Sequence, residues 1–523
     1  MNFAKKVLTS VLLIFACCVV SFAQTIRVNG TVTDKSDGLP LIGASVMVPG
    51  TTVGVITDEN GKFTLDVPAN SSLEISYIGY TTITVPASAT VNVALEEDRD
   101  YLEEVVVTGY MTEKKADLTG AVSVVKMKDI VDIPTGNVLT ALQGRVAGVN
   151  ITADGTPGGG GTSTQVRGMT TINNSSPLYV VDGVMTRTNL NTILQSNDIE
   201  SIQVLKDAAS AAIYGAQAAG GVIIITTKQP QEGKIKVDFE ASLSAQTYST
   251  GIPLLNTQQW GDVYWQAYKY DYGRTPTGDI VYGSGETPVP QEYYYDANGI
   301  KIRVGDTDWQ KEIFQTALMQ KYNVNMSKGE KNHVGSLSVT YMNQDGLVRN
   351  TDYNSFSTRM MNEFRFLNNR LKLGENLSLT RTKNHTQPSG IEEQILAQPP
   401  AQPLYDENGG YSGGYVGKLG DKPNPIRLTD NIANDKHESW RLFGNAYIDI
   451  TPVKNLVFRS SLGINYSSSY NSTFVPKWQE GARSNDENTL SVSHSNGLSW
   501  VWTNTANYSL AIGDHSMQFL LGN

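Results

Sequence analysis

Cysteine is nearly absent from this 523-residue chain: Cys17 and Cys18 are the only two, adjacent in an apolar leader. Beyond the leader no thiol is available for a disulfide, a nucleophile or a soft-metal site. Basic clusters are missing as well. Lys and Arg total 41 against 51 Asp and Glu, for a net charge of −10. A chain this acidic has no footprint for a phosphate backbone, which excludes nucleic acid as a partner. After the leader no apolar run reaches the ~20 residues of a membrane-spanning helix. Histidine is scarce, and His333, His385, His437, His494 and His515 have no spacing that sets two on one face as metal ligands.

The leader itself has the form of a signal peptide. Lys5-Lys6 gives a positive start, Val7 to Val20 is apolar, and Ser21-Phe22-Ala23 offers small-x-small cleavage, assigning residues 1–23 to export. Residues 24–97 then alternate and turn constantly, with Asp58-Glu59-Asn60-Gly61 as the sharpest turn signal, and predict a small β-sandwich. A charged linker occupies 98–114. From 115 to 230 the texture is mixed α/β. Val138 to Leu142 and Ala208 to Tyr214 read as helical, Leu178 to Val181 as a strand ended by Asp182-Gly183, and Val222 to Thr227 as an apolar strand.

Residues 231–523 carry long alternating strands. Short links at Gly329 to Lys331, Leu367 to Asn369, Thr451 to Lys454 and Gly513-Asp514 interleave with long loops at Thr250 to Thr316, Gln344 to Asp352, Asn384 to Lys436 and Asn471 to Asn488. Short turns on one side and long loops on the other are the pattern of an antiparallel transmembrane β-barrel. About nine strands can be counted, an odd number where closed single-chain bacterial barrels have even ones. With no terminal aromatic residue after Phe519 to Asn523, the expectation is an incomplete barrel that does not insert stably alone.

Enzymatic motifs fail on inspection. The glycine-rich Gly155 to Gly161 has no following Lys-Ser/Thr, so it is no P-loop, and Ser123-Val124-Val125-Lys126 lacks the companion motifs of acyl-enzyme chemistry. No catalytic residue, metal site or cofactor is expected. Asp182, Asp198, Glu200, Lys206 and Asp207 read either as a buried charge network or as caps and turn residues. Trp260, Tyr264, Trp265 and Tyr268 crowd the first long loop, where aromatic faces can stack on a ligand or pack on one another.

Several ordered motifs resemble the SusC/RagA family of TonB-dependent outer-membrane transporters. They are Glu103-Glu104-Val105-Val106-Val107-Thr108-Gly109-Tyr110, Gly144-Arg145, Arg167-Gly168, Leu178 to Val181 with Asp182-Gly183, Asp198 to Asp207 including Glu200 and Lys206, and Tyr214-Gly215. The first domain resembles the carboxypeptidase-regulatory-like domain that precedes the plug in this family. The resemblance implies that Glu103 to Tyr110 is a TonB box, which adds as a strand to the periplasmic TonB protein. It also implies a plug over 115–230, a SusD-like surface lipoprotein as partner, a glycan or peptide substrate, and a barrel set in outer-membrane lipid. The alternative from the residues alone is a surface β-rich binding protein without a transport role.

Overall fold

Period-two alternation, which governs which side chains reach each core, organises both units of this protein. The computed structural model describes residues 25–35, 38–49, 51, 53–68, 71–77, 80–96, 105–108, 111–114, 122–127, 136–168, 175–230, 232–248, 251–296, 298–413, 422–512 and 515–523. The signal-peptide assignment lies outside them. The chain divides into two compact units.

The first unit is built from β1 (Thr25–Asp34), β2 (Ser45–Met47), β3 (Gly54–Ile56), β4 (Lys62–Pro68), β5 (Ser72–Ser76), β6 (Ile83–Pro86) and β7 (Thr90–Leu95). One sheet has the order β4-β1-β7 and the other β3-β2-β5-β6. Val28, Val32, Val46, Phe63, Val67, Leu73 and Ile75 form the buried core of this sandwich. The turn before β4 works as its residues predict. The Asp58 carboxylate accepts from the Asn60 and Lys62 amides at 2.9 and 2.8 Å, and Gly61 takes a φ of 70°. After the sandwich, β8 (Val105–Thr108) and β9 (Met111–Lys114) form a two-stranded sheet.

The second unit holds the plug and the barrel wall. The plug strands are β10 (Val122–Lys126), β11 (Val149–Thr152), β12 (Ser163–Val166), β13 (Leu178–Val181), β14 (Val184–Thr186), β15 (Ile199–Leu205) and β16 (Val222–Thr227). Five of them form a sheet of order β10-β15-β16-β13-β14, while β11 and β12 pair separately. Val222 to Ile225 are all buried, as the continuous apolar run of a central strand requires. Both expected helices shrink. Val138 to Leu142 yields only a 3-10 turn at Thr140–Leu142. Ala208–Ala211 is one α-turn that runs into a 3-10 segment, Ala212–Ala218, broken at Gly215 with φ 67° and ψ −160°, a conformation open to glycine.

The wall is a nine-stranded antiparallel sheet. Its strands are β17 (Gly233–Gln246), β20 (Ala317–Glu330), β21 (His333–Asp345), β22 (Asp352–Phe366), β23 (Leu371–His385), β24 (Lys436–Ile450), β25 (Leu456–Val475), β28 (Thr489–Ile512) and β29 (His515–Gly522). The sheet is open, because β17 and β29 do not pair with each other among the described residues. β25 continues to Val475, so the loop expected from Asn471 begins later. The long loops carry elements of their own. The first holds α1 (Thr257–Tyr272), β18 (Tyr293–Tyr295), β19 (Lys301–Arg303) and α2 (Trp309–Ile313). The third holds α3 (Ile391–Ala397) and α4 (Pro425–Ile432), and the last β26 (Trp478–Glu480) and β27 (Arg483–Asn485).

The two faces of the wall are reversed relative to a soluble protein. Phe239, Met326, Leu337, Met360, Leu379, Leu462, Trp500 and Trp502 lie exposed on the outer face, while Asn323, Thr340, Ser357, Arg359, Asn376, Thr380 and Asn445 are buried on the inner one. Apolar outside and polar inside is the arrangement of a wall set in lipid around a polar lumen. It separates a membrane barrel from a soluble sandwich, which periodicity alone does not do.

Candidate functional site

The plug meets the wall through one polar node built on a tight turn. Val181 pairs with Val184 across a two-residue connection, and Asp182 and Gly183 take φ values of 46° and 85°. Positive φ at both central residues is the hairpin geometry that an Asp-Gly pair favours. The turn aims the Asp182 carboxylate at the wall. One carboxylate oxygen accepts from Arg359 on β22 at 2.7 Å, from Asn376 on β23 at 2.6 Å and from the Thr227 hydroxyl at 2.8 Å. The other accepts from the Thr227 amide at 3.0 Å, and the Asp182 carbonyl accepts from Asn445 on β24 at 3.2 Å. The Arg359 guanidinium also donates to the Thr227 hydroxyl at 2.6 Å. At 9% and 15% side-chain exposure, Arg359 and Asp182 form a buried ion pair rather than a screened surface one.

Further bonds seat the plug around this node. Ser378 donates to the Ile193 carbonyl at 2.8 Å, Lys321 to the Ser196 hydroxyl at 2.6 Å and Asn197 to Glu240 at 2.5 Å. The Gly-rich loop is held where the Gly158 amide donates to Gln344 at 3.0 Å. Gly158, with φ 68°, lies flat against the Tyr353 ring, and a Cβ there would collide with it. Beside the node, a cavity of about 360 Å³ separates plug from wall, bordered by Gly183, Val184, Glu363, Tyr447, Arg459 and Thr503.

Among the described residues, the charged residues singled out in the plug make no ion pair with one another. Asp182 pairs with the wall. Asp207 caps the following turn, accepting from the Ser210 amide at 2.8 Å. Lys206 donates to the Ser123 hydroxyl at 2.6 Å, the buried Asp198 offers its carbonyl to the Lys228 amide, and Glu200 is exposed. Gly144, Arg167, Gly168 and Gly215 all occupy positive-φ positions, Arg145 is exposed next to the first of them, and Tyr214 packs in the core beneath β13. Of the TonB-box residues, Val105, Val106, Val107 and Thr108 constitute β8; Glu103, Glu104, Gly109 and Tyr110 lie outside the described residues.

The long loops interlock. α1 begins with a reciprocal cap, in which the Asn256 side chain accepts from the Gln259 amide and the Gln259 side chain from that of Asn256. Trp265 does not present a stacking face. It is 3% exposed, packs with Val281, Tyr282, Tyr294 and Ile302, and donates its indole N–H to the Gly285 carbonyl at 3.0 Å. Trp260 stacks on Tyr282, while Trp260, Tyr264 and Tyr268 remain partly open. Burial pushes the Tyr294 hydroxyl up to about 12, and burial next to Asp279 also raises that of Tyr282. Arg427 on α4 binds Glu480 on β26, both almost fully buried, and lies over the Trp478 ring at 3.6 Å. Glu480 also accepts from the Asn424 amide at 2.9 Å, which joins the third loop to the last.

Sequence reasoning missed Arg359, Asn376 and Asn445, the wall half of the node. A usable signal was present, because each occupies the polar phase of a strand whose other phase is apolar.

A plug domain seated against a lipid-facing antiparallel wall defines the class of TonB-dependent receptors, and comparison with known proteins agrees. Residues 114–222 match the TonB-dependent Receptor Plug Domain, and residues 28–107 the CarboxypepD_reg-like domain. The chain is 30% identical over 511 residues to the TonB-dependent receptor SusC of Bacteroides thetaiotaomicron, covering 92% of this chain and 48% of that protein. It is 31% identical over 538 residues to TonB-dependent receptor P3 of Formosa agariphila, covering 99% and 50%. The fold is similar to that of the RagAB peptide importer in its open-open state, with a TM-score of 0.64, 24% identity, and coverage of 80% of this chain and 48% of that one. The chain spans about half the length of the curated relatives it matches. It belongs to the SusC/RagA family of TonB-dependent receptors.

Proposed function

We propose that this chain acts in a TonB-dependent importer of the outer membrane, which carries oligosaccharides or peptides inward and performs no enzymatic chemistry. On this reading residues 1–23 direct export and are removed. Residues 24–97 form the sandwich and 98–114 the linker with the TonB box. Residues 115–230 form the plug and 231–523 the wall. Sandwich and plug face the periplasm, and the long loops face the exterior beneath a SusD-like lipoprotein.

TonB pairs with Glu103 to Tyr110 by strand addition, for which Val105-Val106-Val107 supply β-prone residues. Force transmitted through the linker loosens the plug. The observation that carries the proposal is the Asp182 node, where the plug is fixed to a polar lumen wall by directional bonds. Such bonds break at defined atoms and re-form against the same partners, as a gate requires. Plug residues Gly144, Arg145, Arg167, Gly168, Asp198, Glu200, Lys206, Asp207, Tyr214 and Gly215 shape the gate, and the partly open rings of Trp260, Tyr264 and Tyr268 are available to a ligand at the mouth. Deleting Glu103 to Tyr110 is expected to abolish uptake while leaving ligand capture at the surface intact. Undiminished uptake by the deletion strain refutes the mechanism.

A further inference from the structure

On the lipid-facing side of the wall, the apolar row of β23 is interrupted by a carboxylate. On β23, Leu373, Glu375, Leu377 and Leu379 follow one another at alternate positions on the outer face, so a carboxylate stands between leucines. Register places Asn362 beside it on β22 and Ala446 on β24. The Asn362 amide donates to Glu375 at 2.5 Å, and His333, stacked on Phe364, lies 3.1 Å from the Asn362 carbonyl oxygen. Arg365 and Lys372 on the same two strands are turned to Glu363 instead. Glu375 therefore keeps acceptor capacity that no cation of the described residues fills.

Next to this carboxylate lies a groove of about 480 Å³ on the outer face, bordered by Phe364, Leu373, Ala446, Leu462 and Trp502 as well as by Glu375 itself. Ala446, next to Glu375 in register, is a small residue among these large ones, and with Gly374 and Ser460 it opens the floor. The Trp502 indole is satisfied by Ser460 at 3.0 Å, so its ring stands as a fixed side of the groove. The volume falls in the range of small-ligand sites, roughly 300–1,000 Å³.

We propose that this groove binds one aminophospholipid, its acyl chain lying over Ala446 and its ammonium headgroup on Glu375. An ionisable residue in a membrane-facing band is costly unless paired, and the free acceptors of Glu375 call for a cationic donor. An anionic headgroup would be repelled, and an uncharged apolar occupant would leave the carboxylate unpaired. The ammonium of phosphatidylethanolamine satisfies both demands.

The inference rests on the outer-membrane reading, and its test separates the two. The protein is extracted from its own outer membrane in mild detergent, exchanged against equimolar phosphatidylethanolamine and phosphatidylglycerol, and analysed for retained lipid by mass spectrometry. Wild type is expected to retain phosphatidylethanolamine with a preference of on the order of tenfold, equivalent to about 1.4 kcal/mol. Ala446→Phe fills the floor and should lose both lipids. Glu375→Gln, nearly isosteric, should keep the lipid but lose the preference, and it decides the matter should Ala446→Phe fail to fold. A lipid-free wild type, an unchanged preference in Glu375→Gln, or a polypeptide rather than a lipid in the groove overturns the proposal. Recovery of the protein only in the soluble fraction overturns the membrane reading itself.

Discussion

Replacing Arg359 with Met should release the plug from the wall without unfolding either. The substitution keeps most of the side-chain volume but leaves the Asp182 carboxylate buried with only Thr227 and Asn376 as side-chain donors. Breaking one half of a buried ion pair costs about 3–5 kcal/mol, whereas neutralising both halves is often close to neutral. The population of detached plug should rise by roughly 150-fold to several thousand-fold, at 1.4 kcal/mol per factor of ten. The assay can use the cysteine-poor sequence. With Cys17 and Cys18 replaced by Ser, a single Val184→Cys reports detachment, because Val184 is 5% exposed and packs against Gly463 of the wall. Thiol labelling of the purified, folded protein then follows the open population. Arg359→Met should accelerate labelling by at least two orders of magnitude, and adding Asp182→Asn should return it most of the way. Labelling by Arg359→Met within about threefold of its parent would show that the node does not hold the plug. So would an equally fast double variant.

Other perturbations test the loops. Glu480→Gln leaves the Arg427 guanidinium buried without its counter-charge, at a cost of about 3–5 kcal/mol. The third loop should become sensitive to limited proteolysis around Asn424, and unaltered cleavage would mean that the pair does not tie the loops together. The Tyr294 hydroxyl, raised above its unfolded value of 10.0 to about 12 by burial, contributes stability that is fully present below pH 10 and lost as pH rises through 12. In a tyrosinate absorbance titration, Tyr294→Phe should therefore remove an ionisation centred near 12, and loss of one centred near 10 would contradict its burial.

Legibility in the sequence followed the range of the interactions. The Asp58 turn, the β13 strand and its Asp182-Gly183 ending, and the alternation of β23 to β25 rest on neighbours within a few residues, and each was readable. Element type failed where tertiary packing outweighs propensity. Ala208 to Tyr214 is rich in helix formers, yet Gly215 must turn the chain, so a full helix cannot develop. For Trp265 the sequence left ligand stacking and internal packing both open, because its pocket comes from residues 281 to 302 and no local signal reports that burial. For the wall half of the central node the polar strand phase was legible, but which wall residues meet Asp182 was hidden for the same reason. Arg359 is 177 residues from Asp182, and nothing in either segment names the other.

How the plug is held bears directly on whether it can move. Its largest apolar core, from Val138 and Leu142 through Leu190 and Ile202 to Ile225, is drawn from plug residues, joined among the described residues by Phe443 of the wall. Apolar burial is non-directional and would bind the plug to the wall over its whole surface, so that leaving would resemble unfolding. Here most of the buried apolar surface is satisfied within the plug, and contact with the wall falls largely to hydroxyls, amides, the Lys321 ammonium and one ion pair. These groups can exchange protein partners for water, since the net worth of a neutral hydrogen bond is only about 0.5–1.5 kcal/mol. The Asp182–Arg359 pair and the buried Lys321 ammonium on Ser196 are the exceptions, because their atoms are desolvated in place. The barrier to displacement is therefore concentrated at the Asp182–Arg359 pair and at Lys321 on Ser196, and a pull that opens these two contacts meets weaker resistance from the neutral bonds elsewhere.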